Sequence, residues 1–427
     1  MSLSLTGEQL LNDLEARGLI HDSTDRGALV ERLNKGPIGV YVGFDPTADS
    51  LHAGNLLGQV MLRRFQLAGH RPVVLAGGAT GMVGDPGGRS EERNLLDRAT
   101  LNHNVACVKK QLEKILDFDG TAAARMVDNA TWTEPMGTLE FLRDVGKHFT
   151  VNQMVAKESV RARMESENGI SFTEFSYMLL QANDFRHLCE FENVEMQMGG
   201  SDQWGNITAG TDLIRRRLTK SGYGLTWPLL TRSDGQKMGK SVHGALWLDP
   251  EKTSPYEFRQ YWVQLPDEDV ERFLLQLTLR SVEDIHALMS EHRAAPEKRL
   301  AQRALATDVT TLVHGAAAEQ AAAEAAQVLF GGDPTTASAE ALAVVAREVP
   351  SSEVTREQLG DQIAILVQSG LAASNGEARR TLTQKGFKAN GQTLEETKSL
   401  LEVDFLHGRF ILLRKGKTNF HLLTVTN

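Results

Sequence analysis

Residues 38–55 read IGVYVGFDPTADSLHAGN, and this stretch decides the fold of the first half of the chain. Its opening run, 38–44, is apolar and rich in β-branched residues, which predicts a buried strand. Pro46 shapes a turn directly after the strand. Gly43 and Gly54 allow a ligand to approach the backbone closely. The stretch therefore predicts a strand, a tight turn and a helix, with a binding surface at the turn.

Two hydrogen-bond donors in this stretch, Thr47 and His52, fall near the N-terminus of the following helix, where the helix dipole favours anions. The combination suits a polyphosphate. Taken alone, HAGN is more typical of a strand-to-helix turn with a capping network than of a binding site, whereas the whole fifteen-residue string over 41–55 is much more specific. The usual nucleotide motifs are absent from the sequence, because Asp234 replaces the first glycine of a P-loop before the GKS at 239–241, and there is no GxGxxG. HExxH and GxSxG are absent too, which disfavours a zincin or a serine hydrolase.

Outward from this stretch, β-rich runs alternate with segments of helical length. Further strands are predicted at 72–76, 125–128 and 194–198. Such alternation predicts an α/β fold, a Rossmann-like parallel sheet covered by helices. Ligands of these sheets bind beyond the carboxyl ends of the strands, and GGATGMVGDPGG (77–88) directly follows a predicted strand. Both glycine-rich segments are therefore predicted at the edge of the sheet where ligands bind, and their residue types also suit ligand binding.

The second half of the chain changes character. We predict a catalytic α/β domain over 1–250, a helical domain over 251–330, a linker over 331–355 that contains Gly–Gly–Asp–Pro, and a small α+β module over 356–427. Residues 353–427 hold ten basic and eight acidic side chains, whereas the whole chain has a net charge of −9. The last module is therefore the better candidate for contact with phosphates, although a solvated basic face is the simpler alternative.

The composition of the 427 residues, 41% hydrophobic and 24% charged, is that of a folded globular protein. Two cysteines, Cys107 and Cys189, cannot form a disulfide framework and fit a reducing compartment. The N-terminal residues are amphipathic, with no secretory signal pattern, and no apolar run reaches the length of a bilayer span. We expect a cytoplasmic protein without a membrane segment.

The segment TEFSYMLLQANDF (173–185) has helical periodicity and carries polar groups on one face. Tyr177, Gln181 and Asp184 are spaced i, i+4 and i+7, so they share that face. The spacing alone fits a solvated helix face as well as a binding pocket.

The whole chain resembles the class I aminoacyl-tRNA synthetases, in the form of the bacterial tyrosyl-tRNA synthetases. YVGFDPTADSLHAGN (41–55) is similar to the first signature of the class, with Asn55 in place of the second histidine, and KMGKS (237–241) is similar to the second. The resemblance continues through GKHFTVNQM, SFTEFSYMLLQANDF, MGGSDQWGNI, LWLDPEKTSPY and FLHGRFILLRKGK. Asn183 stands where the family often has tyrosine.

The resemblance implies a role for each matching residue. It implies stabilisation of the phosphates in the transition state by Thr47, His52, Lys237 and Lys240. It implies tyrosine binding by Tyr41, Asp85, Tyr177, Gln181, Asp184 and Gln203, with Tyr41 and Asp184 on the phenolic hydroxyl. It implies ATP contacts by Gly43, Asp45, His52, Gly54, Asn55, Gly200, Asp202, Lys237, Met238, Lys240 and Ser241. In an S4-like C-terminal module, it implies RNA contacts by Arg379, Arg380, Lys385 and Lys388.

The implied activity joins L-tyrosine to tRNA(Tyr) through a tyrosyl-adenylate, with ATP as substrate, Mg²⁺ bound with the ATP and no metal held by the protein. The family also implies a homodimer, with 146–154 near the interface. Two alternatives stay open, a tryptophanyl relative and an RNA-binding protein with a decayed synthetase domain. Tyr41 and Asp184 disfavour the first, and the intact signatures disfavour the second.

Overall fold

The computed structural model describes residues 5–85, 96–165, 169–233, 235, 238–241, 244–397 and 399–426. The chain divides into two compact units. The first comprises Met1–Thr253 and Tyr261–Val313, and the second comprises Ser254–Gln260 and His314–Asn427.

The first unit contains a mixed set of helices and strands among its described residues. The strands are β1 (Asp22–Ser23), β2 (Gly39–Phe44), β3 (Arg71–Ala76), β4 (Arg125–Asp128), β5 (Val194–Gly200), β6 (Tyr223–Trp227), β7 (Lys240–Ser241) and β8 (Gly244–Ala245). The helices are α1 (Gly7–Ala16), α2 (Arg26–Asn34), α3 (Leu56–Leu67), α4 (Arg98–Leu112), α5 (Ala130–Thr133), α6 (Thr138–Asp144), α7 (Val151–Val155), α8 (Glu158–Met164), α9 (Phe172–Phe191), α10 (Trp204–Leu218), α11 (Pro255–Val263, divided between the units), α12 (Asp267–Leu277), α13 (Val282–Ala294) and α14 (Leu300–His314).

The main sheet of the first unit has six strands in the order β1-β6-β5-β2-β3-β4. All neighbours are parallel except β1 and β6, which pair antiparallel. From β2 the chain runs through β3 to β4 on one side of the sheet, and then returns to β5 and β6 on the other. The order therefore reverses between β2 and β5, and a crevice forms at this point beyond the carboxyl ends of the strands. The predicted Rossmann-like α/β architecture and its four predicted strands are confirmed.

Capping fixes where several helices begin. Helix α9 begins after Ser171, whose side chain accepts a hydrogen bond from the Glu174 backbone N–H. Helix α3 begins after a short 3₁₀ turn, Ala53–Asn55, in which His52 and Asn55 form a reciprocal capping box. The HAGN motif thus does have the structural role that its sequence alone allowed, and it lies at the mouth of the crevice.

The second unit, within the described residues, is an α+β module. Its strands are β9 (Ser351–Thr355), β10 (Phe387–Ala389), β11 (Gln392–Thr393), β12 (Phe410–Lys415) and β13 (Asn419–Thr426), and its helices are α15 (Ala316–Leu329), α16 (Ala339–Glu348), α17 (Gln362–Gln368) and α18 (Asn375–Thr383). The sheet order is β11-β10-β12-β13-β9. Alternate residues of β12 face opposite sides, because a strand has a period of two. Ile411 and Leu413 pack in a core cluster with α17 and α18, whereas Phe410 and Leu412 pack with α15 and α16.

The segment 331–355 differs from the predicted linker, because it contains α16 and β9. Leu342 and Val345 of α16 are fully buried in the cluster with Phe410 and Leu412, so this segment is part of the module's core. The Gly–Gly–Asp–Pro segment forms only a turn between the packed helices α15 and α16. The functional division into four domains stays a prediction.

Candidate active site

A cavity of about 440 Å³ lies beyond the carboxyl ends of β2 and β5, at the reversal of strand order. Fourteen of the residues singled out from the sequence line it: Tyr41, Gly43, Asp45, Thr47, His52, Gly54, Asn55, Asp85, Tyr177, Gln181, Asp184, Gly200, Asp202 and Gln203. The shared face of Tyr177, Gln181 and Asp184 on α9 therefore turns toward the cavity. Asn183 does not line it, because this buried amide accepts hydrogen bonds from Arg186.

One end of the cavity is formed by Tyr41 on β2 and Asp184 on α9, both almost fully buried. The Tyr41 hydroxyl has no hydrogen-bond partner within the part of the chain that the structure describes. Burial raises the pKa of the Asp184 carboxyl to about 7, against the effect of its hydrogen-bond donors, and burial raises the pKa of Tyr41 well above its usual range. Two polar groups that lack full solvation thus face the space where a ligand hydroxyl would find them.

The Asp184 carboxylate is held by two residues that the sequence analysis missed. The Trp132 indole N–H donates to Oδ1 at 2.8 Å, and the Asn129 amide donates to Oδ2 at 2.9 Å. Asn129 is itself fixed, because its oxygen accepts from the Ala79 backbone N–H at 2.7 Å. Asn129 immediately follows β4, so the rule that places sites after parallel strands could have found it. No periodic signal marks Trp132.

The middle of the cavity is acidic and amide-rich. Asp45 accepts hydrogen bonds from the Tyr177 hydroxyl at 3.3 Å. Asp85 accepts one from the Gln203 amide at 2.7 Å, and the Gln203 oxygen accepts from Gln181 at 3.2 Å. Asn206, a further residue missed from the sequence, donates to Gln181 at 3.0 Å and to Gln203 at 3.2 Å. Asp45 and Asp85 both line the cavity, and two carboxylates in one cavity suit a cationic group.

The other end of the cavity is formed by the HAGN turn. The Gly54 backbone N–H donates to His52 Nδ1 at 3.0 Å, which leaves Nε2 as the protonated nitrogen of the neutral ring. Burial lowers the pKa of His52, so the neutral form is favoured at pH 7. The Asn55 side-chain oxygen accepts from the His52 backbone N–H at 3.1 Å, and its amide group can still donate. Thr47 is exposed at this end.

The KMGKS segment packs directly against the HAGN turn. A Cβ built on Gly239 would lie 3.0 Å from the Gly54 nitrogen, and Gly239 has φ +91°. Leu246 N–H donates to Gly239 O at 2.7 Å, and Ala53 N–H donates to Leu246 O at 2.8 Å. Met238 is buried and its sulfur accepts from the Tyr261 hydroxyl, so its side chain does not line the cavity.

The predicted contribution of the KMGKS side chains is outside what the structure describes. Lys237 lies outside the described residues, as do the side chains of Lys240 and Ser241. The four predicted RNA contacts belong to the second unit, where Arg379 and Arg380 are exposed on α18, Lys385 is exposed after its end and Lys388 is half-buried in β10.

With this geometry established, the chain matches the family model "tRNA synthetases class I (W and Y)" over residues 33–331 and the model "Tyrosine--tRNA ligase SYY-like C-terminal domain" over residues 341–423. The chain belongs to the class I tRNA synthetases of the tryptophan and tyrosine family. It is 53% identical to a tyrosine–tRNA ligase of Opitutus terrae, over 97% of this chain and 99% of that protein, and 51% identical to one of Anaeromyxobacter dehalogenans, over 98% and 100%. A C-terminally truncated mitochondrial tyrosyl-tRNA synthetase of Aspergillus nidulans matches the structure with a TM-score of 0.68 and 33% identity, over 75% of this chain and 94% of that one.

This synthetase has no helix, among the residues with described positions, that is long and apolar enough to cross a membrane. Among the same residues no group of three or more His, Cys, Asp or Glu side chains is arranged to hold a metal ion. The polar groups of the cavity form three successive regions, and their chemistry suits a hydroxyl, a cation and a polyanion.

Proposed function

We propose that the chain is a tyrosine–tRNA ligase, which joins L-tyrosine and ATP into tyrosyl-adenylate and then transfers tyrosine to the 3′-terminal ribose of tRNA(Tyr). The observation that carries the choice of amino acid is the buried pair of Tyr41 and Asp184, with an unpartnered hydroxyl on one side and a firmly held carboxylate on the other. The phenol group of tyrosine can donate to Asp184 and pair with Tyr41, whereas an indole or a phenyl ring offers no hydroxyl.

The cavity supports this orientation along its whole length. With the phenol at Asp184, the ammonium group of tyrosine would meet Asp85, Gln181 and Tyr177, and the carboxylate would point toward Gln203. The triphosphate would then lie at the HAGN turn, where His52 presents a donor and the helix dipole favours negative charge. ATP is expected as its Mg²⁺ complex, so the cation would be part of the substrate.

The chemistry needs positioning more than proton transfer. A tyrosine carboxylate is ionised at neutral pH and can attack the α-phosphorus of ATP without a general base. The rate is increased by holding the two reactants in line and by stabilising the charge that develops on the leaving pyrophosphate. We assign that charge stabilisation to Thr47, His52, Lys237 and Lys240.

Rejection of phenylalanine follows from the same pair of residues. A buried site that pairs a substrate hydroxyl rejects the analogue without it by orders of magnitude, because its polar groups stay unpaired; tyrosyl-tRNA synthetases are the standard example of this effect.

We also infer a homodimer, supported by a set of exposed apolar side chains on α6, α7, α8 and α9. These are Leu139 (82% exposed), Leu142 (50%), Val151 (63%), Met164 (51%) and Phe172 (77%). The four helices pack around one buried cluster that includes Met154 and Met178, so they form one surface layer. Monomeric proteins rarely expose so much apolar surface together, which supports a partner at this face. Val151 falls within the predicted interface segment 146–154. A cytoplasmic location stays a prediction.

The activity is tested by amino-acid-dependent exchange of labelled pyrophosphate into ATP, with tyrosine, tryptophan and phenylalanine compared at equal concentration. We expect exchange with tyrosine alone. Exchange with tryptophan would favour the tryptophanyl alternative. Tight binding of tRNA without exchange by any amino acid would favour the decayed synthetase.

A further inference from the structure

Beyond Asp184, the same face of α9 carries two side chains with rings, His187 and Phe191. Asp184, His187 and Phe191 are spaced i, i+3 and i+7, so they lie on one stripe of the helix. The first of these is in the cavity, the second is half-buried, and the third is 60% exposed. The stripe therefore connects the ligand-binding carboxylate with the protein surface.

Trp132 packs along this stripe at two points. Its indole N–H donates to Asp184 Oδ1 at 2.8 Å, and its ring stacks on the His187 imidazole with 4.3 Å between centroids and 14° between planes. Phe191 also packs against the imidazole, with 4.8 Å between centroids and 46° between planes. Trp132 belongs to α5, a helix of four residues, which offers little support of its own to a large side chain.

The two contacts have different consequences for the indole. The hydrogen bond fixes one atom of the ring and leaves rotation about that atom possible. The parallel stack fixes the plane of the ring, because aromatic pairs resist tilting away from their preferred offset. Burial lowers the pKa of His187, so the neutral imidazole stacks without loss of hydration of a charge.

We propose that His187 is a positioning residue for amino-acid selection: by stacking on Trp132 it holds the indole N–H on Asp184 and thereby keeps the carboxylate aimed at the substrate hydroxyl. This inference rests on the proposed function. It makes specificity depend on a residue that does not line the cavity, two contacts away from the phenol group.

The test compares His187→Ala, His187→Phe and Phe191→Ala in tyrosine-dependent and phenylalanine-dependent pyrophosphate exchange. For His187→Ala we expect the KM for tyrosine to rise about three- to tenfold and the preference for tyrosine over phenylalanine to fall by a similar factor, with kcat at saturating tyrosine and the KM for ATP unchanged. His187→Phe retains a flat ring and should restore the preference. Phe191→Ala removes a neighbour of the imidazole without touching the indole, and serves as the matched control.

A double-mutant cycle with Trp132→Phe separates positioning from general packing. Phenylalanine at position 132 has no N–H to donate to Asp184, so His187 has no hydrogen bond to position in this background. His187→Ala should therefore not lower selectivity further in the Trp132→Phe background. Equal losses of selectivity in both backgrounds would overturn the inference. So would an unchanged preference for tyrosine in the His187→Ala variant, provided that the wild-type protein is active. Absence of exchange in the wild type would overturn the proposed function and this inference with it.

Discussion

At the Asp184 end of the cavity both polar side chains are almost fully buried: two donors hold the Asp184 carboxylate, and the Tyr41 hydroxyl has no partner among the described residues. At the His52 end Thr47 is exposed and His52 is half-buried. The proposed function explains this difference by the group that each end would bind. A single neutral hydroxyl gives little binding energy, and it can be selected only where an unpaired partner costs much, in a dry site. In the proposed function the other end binds the triphosphate of ATP, which carries several charges and whose β- and γ-phosphates leave as pyrophosphate. Long-range attraction at a solvated site is enough to hold such a group.

The largest effect is expected at the phosphate end. Lys240→Ala removes a positive charge assigned to the leaving pyrophosphate, and we expect adenylate formation to slow by about 10²- to 10³-fold, as for the loss of one transition-state donor. Tyrosine affinity, measured by equilibrium titration without ATP, should change less than about twofold, because the phenol end is untouched. The exposed Lys220, changed to Ala, is the control. Equal losses in rate and tyrosine affinity would contradict a role confined to the transition state.

An intermediate effect is expected from pH at the phenol end. Below the Asp184 pKa of about 7 the carboxyl is protonated and no longer accepts from the phenol with its charge, so tyrosine binding weakens as the pH falls. The ionised fraction changes about tenfold between pH 8 and pH 6, and kcat/KM for tyrosine should fall by a similar factor.

Two controls isolate this titration. Asp184→Asn should show weak tyrosine use with a nearly flat profile over the same range, since the amide does not ionise. Phenylalanine, which has no phenol to donate, should show no such fall in the wild type. A tyrosine profile that stays flat in the wild type would show that Asp184 is ionised throughout and that its burial is compensated.

The smallest effect is expected from Tyr41→Phe. The substituted ring fills the same space but removes one partner of the substrate hydroxyl, a change worth about 1 kcal/mol for a neutral hydrogen bond. The preference for tyrosine over phenylalanine should narrow about five- to tenfold, while the KM for ATP stays the same. Comparison of exchange with the two amino acids measures it, and an unchanged ratio would remove Tyr41 from the pocket.

Sequence reasoning was sufficient for the parts of the fold that repeat. The apolar runs at 38–44 and 72–76 predicted parallel strands, and the rule for the carboxyl ends of such strands placed the glycine-rich segments at one crevice. The spacing of Tyr177, Gln181 and Asp184 predicted a shared face, although the choice between solvent and pocket needed the resemblance or the structure.

The contacts that hold the site together were not predictable in the same way. Asn129 and Trp132 lie more than fifty residues before Asp184, and they meet it only because β4 pairs beside β3. A hydrogen bond between distant side chains leaves no period in the sequence. The helix α16 was missed for a related reason, and its residues were predicted to be part of a linker. Gly and Pro residues indicate a local bend in the chain, but they do not indicate whether the flanking residues pack into a core.

The close approach of Gly239 and Gly54 couples the structures of the two signature segments. The Gly54 nitrogen, which a side chain at 239 would crowd, is the same atom that donates to the His52 imidazole. Any enlargement of the third letter of KMGKS would therefore be transmitted through one amide to the histidine of the first motif. A substitution in either segment at these positions therefore affects both, although they lie almost two hundred residues apart in the chain.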